Sequence, residues 1–514
     1  MRTSIVRPFV IVAACGAAFI VSPCMAEPVE VVHAIFAQAP TSPKSAVPGG
    51  IIGIADARFT NFNNKLYRSP TSSQWLIVPT TNATPASADQ VLLIGSGLTS
   101  AVVAREGTTQ VGTGPGGAEF LNFSLLSVPR MNDAGQWAVG YRLAGGAAFD
   151  DRLVTWDGAA FQVFRGGDGI PALPGLTYAG SFNGANISSS GAVGFLASEN
   201  GLSATTESAF GNSGGVQLID IEVAEPSGQS APTPQPWVDI DTNSFYQDAT
   251  GIRYIALGEV GFDLAADKVV VVDGVVVLQE GSVVAGSAFT SPVSSVSSDG
   301  VWMESNGDWF ARGANADGID WVVRNGAVIA YEGQAVTPDL PTLLWETFRD
   351  VKGDNAGNYV VNGNAGGDTL TDDVLVVNGT RLVARESDPV DLDGNGQFDD
   401  NLFVHLIQDR GTLNNDGYFY FASRLKSTAA GTTGANGSNN ASLLRVRAVT
   451  ALCGDADFDG DGDTGTDLDI EAFFACLGGD CCATCGSADF DGDGDTGTDL
   501  DIEAFFRVLG GGDC

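Results

Sequence analysis

The chain has 514 residues, 62 acidic against 25 basic side chains and a formal net charge of -37. That length exceeds one ordinary hydrophobic core, so more than one domain or a large repeat architecture is expected. The charge argues against nucleic acid and anionic membranes as partners and favours divalent cations or basic partners, while 67 Gly among many Val, Thr and Ser indicates β structure rich in turns.

In chain order, residues 1–26 form the pattern of a signal peptide. Arg2 and Arg7 supply its positive end, Phe9 to Val21 its apolar stretch, and Cys24-Met25-Ala26 a cleavage site before Glu27. Export to the cell surface or medium is the resulting expectation. Val12-Ala13-Ala14-Cys15 offers a lipobox as an alternative, and a retained anchor is disfavoured because the apolar run is short for a bilayer. The mature chain is expected to have no membrane span. Cysteine usage agrees with export: none lies between Glu27 and Leu452, and six lie in the tail, at Cys453, Cys476, Cys481, Cys482, Cys485 and Cys514. The internal repeat of the tail suggests Cys453–Cys482 and Cys485–Cys514, both 29 apart, leaving Cys476–Cys481. A zinc site competes with this reading, but no His lies near these cysteines.

From about residue 50 to 450 a unit recurs: a turn residue, two residues, Gly and an apolar strand. It is seen at Asn132–Gly135, Ser188–Gly191, Asp248–Gly251, Ser297–Gly300, Asp354–Gly357 and Asn414–Gly417, with an earlier copy at Asn61–Asn64. Downstream of these turns, apolar runs flank Asp157-Gly158, Asp273-Gly274, Asn325-Gly326 and Asn378-Gly379, which are hairpin signals. Three or four strands per unit cannot bury their faces alone, and radial packing of copies solves this. The expected fold is mainly β, a β-propeller-like body over 27–450 with seven blades favoured over six; a β-solenoid is the other architecture. The last unit lacks a strand that Val31 to Phe36 can supply.

Enzyme signatures are sparse. Only His33 and His405 are available, and His405 reads as a half-buried strand residue. Paired carboxylates for glycoside hydrolysis stay open, as do Trp75, Trp137, Trp156 and Trp237 as sugar-stacking rings, although blade-core packing explains them more simply. Asp391, Asp393, Asn395 and Asp399 fit a weak calcium loop; an acidic hairpin turn is the competing reading.

The tail, 453–514, holds 17 acids and one base, and Asp457–Phe474 returns unchanged as Asp489–Phe506. Alternating carboxylates suit calcium, a hard cation taking six to eight oxygens. Asp457, Asp459 and Asp461 occupy loop positions 1, 3 and 5, Gly462 position 6 and Asp463 position 7; Asp489, Asp491, Asp493, Gly494 and Asp495 repeat this. A 12-residue loop would close on Leu468 or Leu500, so Asp469 and Asp501 are preferred as closing ligands, with Asp467 and Asp499 as alternatives. Ile470, Phe473, Phe474 and Leu477 then lie on one helical face.

This loop–helix tandem resembles a type I dockerin, with a loop one residue longer and six added cysteines. The body resembles the exported bacterial, planctomycete-type proteins with NxxGxxxF tandem repeats ahead of C-terminal anchoring modules, a motif that Asn414–Phe421 fits fully. The resemblance of the body implies architecture and compartment rather than activity; with the export signal and the acidic tail, the favoured expectation is a non-enzymatic binding or surface protein whose calcium-binding tail attaches it to a cohesin-like or envelope protein, with a glycan as a candidate ligand of the body. The alternative is an exported polysaccharide-acting enzyme carried by the same tail.

Overall fold

Runs such as Val269-Val-Val-Val272 are apolar at every position because both faces of the strand are covered. Val269 and Val271 point into one apolar cluster, Val270 and Val272 into another. The same division holds for Trp321 and Val323 against Val322, and for Val374 and Val376 against Leu375 and Val377. The computed structural model describes residues 32–510 apart from 38–42, 52–53, 55, 63–65, 115–116, 124–128, 143–150, 201–207, 222, 231–233, 262–263, 285–288, 396–397, 410, 430–440, 450–455, 483 and 491–496. The proposed signal segment, Cys453, Cys514 and Asp491, Asp493 and Asp495 lie outside these described residues.

The body is a seven-bladed β-propeller. Blade 1 is Tyr67–Arg68, Gln74–Ile77, Val91–Ser96 and Thr99–Arg105. Blades 2 to 6 are antiparallel four-stranded sheets whose first strands are Arg130–Met131, Tyr178–Ile187, Trp237–Gln247, Val293–Met303 and Trp345–Gly353. Blade 7 begins with Phe403–Ile407 and Thr412–Leu413, continues through Tyr418–Lys426 and Ala441–Arg447, and is completed by Val32–Ala37, antiparallel to Ala441–Arg447. The N-terminal strand thus fills the gap expected from the sequence. Seven apolar clusters fill the seven blade–blade interfaces among the described residues.

Trp75, Trp137 and Trp237 sit in these clusters, at most 2% exposed, and are core rings; Trp156 is half-buried against Phe161. No helix among the described residues is long and apolar enough to cross a membrane.

Two of the recurring turns differ from expectation. Ser297–Gly300 is a register irregularity inside Val293–Met303, and the blade 5 turn is Glu304–Gly307, where the Gly307 N–H donates to the Glu304 carbonyl at 2.9 Å. A Glu at the first position hid this turn from an Asx/Ser-Gly pattern. Asn61 lies in Phe59–Phe62, paired with Pro79–Thr81, and the first blade turns at Ser69–Ser73, which has no Gly.

The hairpin signals hold. Asp273, Asn325 and Asn378 have φ of 51°, 49° and 52°, each followed by a Gly at positive φ, the type I′ pattern. Their side-chain oxygens each accept from a backbone N–H on the neighbouring second strand, those of Tyr254, Trp309 and Tyr359 at 2.8, 2.9 and 2.9 Å. The turn residue therefore fixes three strands together. Asn378→Ala removes this bond and leaves a non-Gly residue at positive φ, so urea unfolding should show a loss of about 1–3 kcal/mol. An unchanged midpoint would contradict the role given to Asn378.

Candidate metal centre

The duplicated segments build two helices, Asp467–Leu477 and Asp499–Leu509, here α1 and α2. Each starts with a capping box. Thr466 accepts from the Asp469 N–H, while Asp469 accepts from the Thr466 N–H at 2.7 Å and its hydroxyl at 3.0 Å. Thr498 and Asp501 repeat these contacts at 2.7 and 3.0 Å. The Thr-x-x-Asp spacing, not singled out in the sequence, is the signal that would have revealed this cap. Both Asp469 and Asp501 are fully buried.

The second oxygen of each capping carboxylate turns to the loop. In α1's loop Asp469 Oδ1 accepts from the Asp459 N–H at 3.3 Å; in the second, Asp501 Oδ1 accepts from the Phe490 N–H at 2.7 Å. Asp457, Asp459 and Asp469 bring carboxylate oxygens within 4.8 Å of one another. Gly462 has φ +94°, and its N–H donates to Asp457 Oδ2 at 3.1 Å, bending the loop around that group. Asp461 and Asp463 stand on the exposed rim, and Asp467, exposed, is outside the converging trio. Asp469, not Asp467, is therefore the acid that meets the loop.

Burial works against ionisation of Asp469, but hydrogen bonds from Thr466 and from the Asp459 and Phe458 N–H groups outweigh it and hold its carboxyl below the usual value. Asp459 shifts the other way, raised by desolvation and by the charges of Asp461, Asp469 and Asp457. Carboxylate oxygens at this spacing are a hard donor set of the kind calcium takes.

A shared core joins the two units. Phe473 stacks on Phe505 with centroids 4.1 Å apart, and Phe458 and Phe490 close over them. The exchange is reciprocal: a Cβ built on Gly465 would meet Leu509, and one on Gly497 would meet Leu477. Cys476 pairs with Cys481, as the symmetry suggested. Cys482 pairs with Cys485, which overturns the expected Cys453–Cys482 and Cys485–Cys514 bridges. The two residues lie three apart on the link between the units, with Cα atoms at 5.1 Å, so local proximity prevails over repeat symmetry.

In the body, the loop at 391–400 brings Asp391, Asp393 and Asp400 together. Asp400 takes the place expected for Asp399, because its side chain accepts from the Leu392 N–H at 2.6 Å and folds inward. Asn395 hydrogen-bonds Asp393. Asp391 is engaged by His33 at 3.0 Å. Burial and the charge of Arg445 hold the His33 imidazole below its usual value in spite of Asp391.

A third acidic group, Asp372, Asp373 and Glu386, lies between blades 6 and 7 and was not singled out in the sequence. Asp372 and Asp373 are neighbours in the chain, but Glu386 comes 13 residues after Asp373 and meets it only through strand pairing, its N–H donating to the Asp373 carbonyl at 2.8 Å. Asp373 pairs with Arg349 at 2.5 Å and accepts from the Ile407 N–H at 2.8 Å. Glu386 meets His405 at 3.1 Å and the fully buried Lys426 at 3.2 Å. His405 is half-buried on its strand, as expected. The cations already present give this group a structural explanation.

No family model matches the chain, and no curated protein matches it. Among solved structures, the chain aligns with the Dos1 propeller at 9% identity and a TM-score of 0.35, covering 76% of this chain and 92% of that one. It also aligns with the WD40 β-propeller domain of Doa1 at 11% identity and a TM-score of 0.30, covering 76% and 97%, and with prolyl oligopeptidase B from Galerina marginata at 10% and 0.33, covering 73% and 48%. Scores this low carry no argument about activity, and the seven sheets themselves establish the fold.

Beside the Glu386 group, burial pushes Asp388 up to about 7, against the opposing hydrogen bond and charge of Arg385. The folded chain holds a proton that the unfolded chain releases near its ordinary value of 3.8, so stability falls as pH rises between those values. Asp388→Asn should therefore raise the unfolding free energy at pH 8 by about 1–3 kcal/mol, allowing for its partial exposure, and leave pH 3.5 nearly unchanged. Equal effects at both pH values would contradict this.

Proposed function

We propose that this is an exported, non-enzymatic binding protein whose propeller presents a protein- or glycan-binding surface and whose calcium-loaded, dockerin-like tail attaches it to a cohesin-like or envelope partner. The observation that carries the reading is the meeting of Asp457, Asp459 and Asp469 at the capped start of α1. Asp461 and Asp463 complete the first set; Asp489, Asp491, Asp493, Asp495 and Asp501 form the second. Asp391, Asp393 and Asp400 are a weaker third site, because His33 already engages Asp391.

Bound calcium supplies the positive charge that lets these carboxylates share one loop. The chain's own residues do the rest: Asp469 fixes the helix start, Gly462 bends the loop, and the phenylalanine core holds the two loops together. Metal binding should stabilise the tail by linkage, by about 2.7 kcal/mol at calcium one hundred times the dissociation constant.

Calorimetry on the full, oxidised chain should show two strong calcium sites. Asp469→Ala should remove one and spare the other, and the double change with Asp501→Ala should remove both. No calcium uptake by the wild-type chain would overturn the metal assignment. Separately, a chain ending at residue 452 should lose retention on the cell envelope; undiminished retention would overturn the attachment role.

A further inference from the structure

The inner strands approach their turns in a common register. The residue two positions before each turn residue falls in one layer across the propeller axis, with Tyr67 in blade 1, Arg130 in blade 2, Tyr246 in blade 4, Trp302 in blade 5 and Lys352 in blade 6. Contacts across the axis confirm the layer. Tyr67 and Trp302 lie 5.7 Å apart by ring centroid, and Tyr246 and Trp302 4.8 Å. Arg130 enters this box with its guanidinium carbon 3.7 Å from the Tyr67 ring, 5.0 Å from Tyr246 and 5.1 Å from Trp302.

The nearby carboxylates are all committed elsewhere. Glu304 takes Arg68 at 2.8 Å, the Trp302 indole N–H at 2.5 Å and the Gly353 N–H at 2.8 Å. Asp350 holds Lys352 at 2.7 Å, and Asp248 is turned to the Thr250 hydroxyl at 2.7 Å and to N–H groups of its own turn. Among the described residues Arg130 has no carboxylate partner. Its Nη1 is buried and has no hydrogen-bond partner among the described residues. Aromatic rings satisfy the face of a guanidinium but not its in-plane donors, and a buried N–H without an acceptor is costly. Beside it lies a cavity of about 60 Å³, walled by Tyr67, Arg130, Tyr246, Trp302 and the Glu304 turn.

We infer that this axial layer is a binding site for a small carboxylate anion of acetate size, held on the in-plane edge of Arg130. The cavity is large enough for such an anion and too small for a glycan or peptide. The fork of an arginine matches a carboxylate in two parallel hydrogen bonds. Lys352, 4.4 Å from the Trp302 ring, closes the layer from the adjoining blade with its charge paired to Asp350. The site is independent of the calcium tail and of any partner of the body.

The test is acetate binding to the full chain, read from broadening of the acetate methyl proton resonance in a titration at fixed pH and ionic strength. Saturable broadening is expected in the wild type. Arg130→Met, which keeps the side chain's bulk on the rings, should abolish it. Arg130→Lys, which keeps a cation on the rings and serves if the Met variant does not fold, should weaken binding about tenfold through loss of the fork. Broadening that does not saturate, that survives Arg130→Met, or that is unchanged in Arg130→Lys would overturn the assignment and leave Arg130 as a water-solvated plug.

Discussion

The closing of the ring rests on one strand pairing, Val32–Ala37 against Ala441–Arg447. Every blade is apolar on both faces, so an open ring would leave two faces in water. The closing strand serves both neighbouring interfaces. Val32, Ala34 and Ala37 fill the cluster between blades 6 and 7, while Ile35 and Phe36 fill the one between blades 7 and 1. A register shift between Ala34 and Phe36 re-aims the side chains and makes this possible. The parallel pairing with Val390–Asp391 and the His33–Asp391 contact then bind the same strand to the 391–400 loop.

A second constraint acts along the axis. The Pro70 carbonyl, on the turn of blade 1, accepts from Ser305, Asn355 and Asn415, which belong to the turns of blades 5, 6 and 7. Asn132 reaches the Ser188 carbonyl, and the Ser189 N–H reaches Ala249. The recurring turn is therefore a local device with a second use. Its first residue caps its own turn, as Asp354 does for the Ala356 and Asn358 N–H groups at 2.9 and 2.7 Å, and its following residues tie blades to one another at one end of the channel. The layer of Tyr67, Arg130, Tyr246 and Trp302 lies directly beneath this ring of turns.

This double use explains what could be read from the sequence. Asp-Gly and Asn-Gly hairpins were legible because type I′ turns need positive φ twice in succession, which few residue pairs tolerate. The closing strand was legible because the last unit was one strand short. The Glu304 turn was not, since Glu lacks the short side chain that marks the other copies, and Ser297-Ser-Asp-Gly300 imitated the pattern inside a strand. Repeat symmetry also misled for Cys482, whose partner is set by three residues of local chain. The axial layer left no trace in the sequence because it uses one side chain per blade, and these follow no repeating residue type around the ring. Only the common register reveals that Arg130 and Trp302 occupy equivalent positions.

In the tail, one carboxylate joins the acidic loop to the start of the helix. Asp469 is buried, caps α1 through Thr466 and faces Asp457 and Asp459 with its other oxygen. Its hydrogen bonds hold its carboxyl below the usual value, whereas desolvation, followed by the charges of Asp461, Asp469 and Asp457, pushes the Asp459 carboxyl up. Without a cation the loop must carry this repulsion or take up protons, so loop geometry and helix start are stabilised together by a positive ion or strained together without one. Because Leu477 of α1 packs over Gly497 of the second loop and Leu509 of α2 over Gly465 of the first, an effect on one loop reaches the other through the core. Two identical segments folded on one core therefore have a physical route by which a change in one loop is felt at the other, which two loops on separate cores would lack.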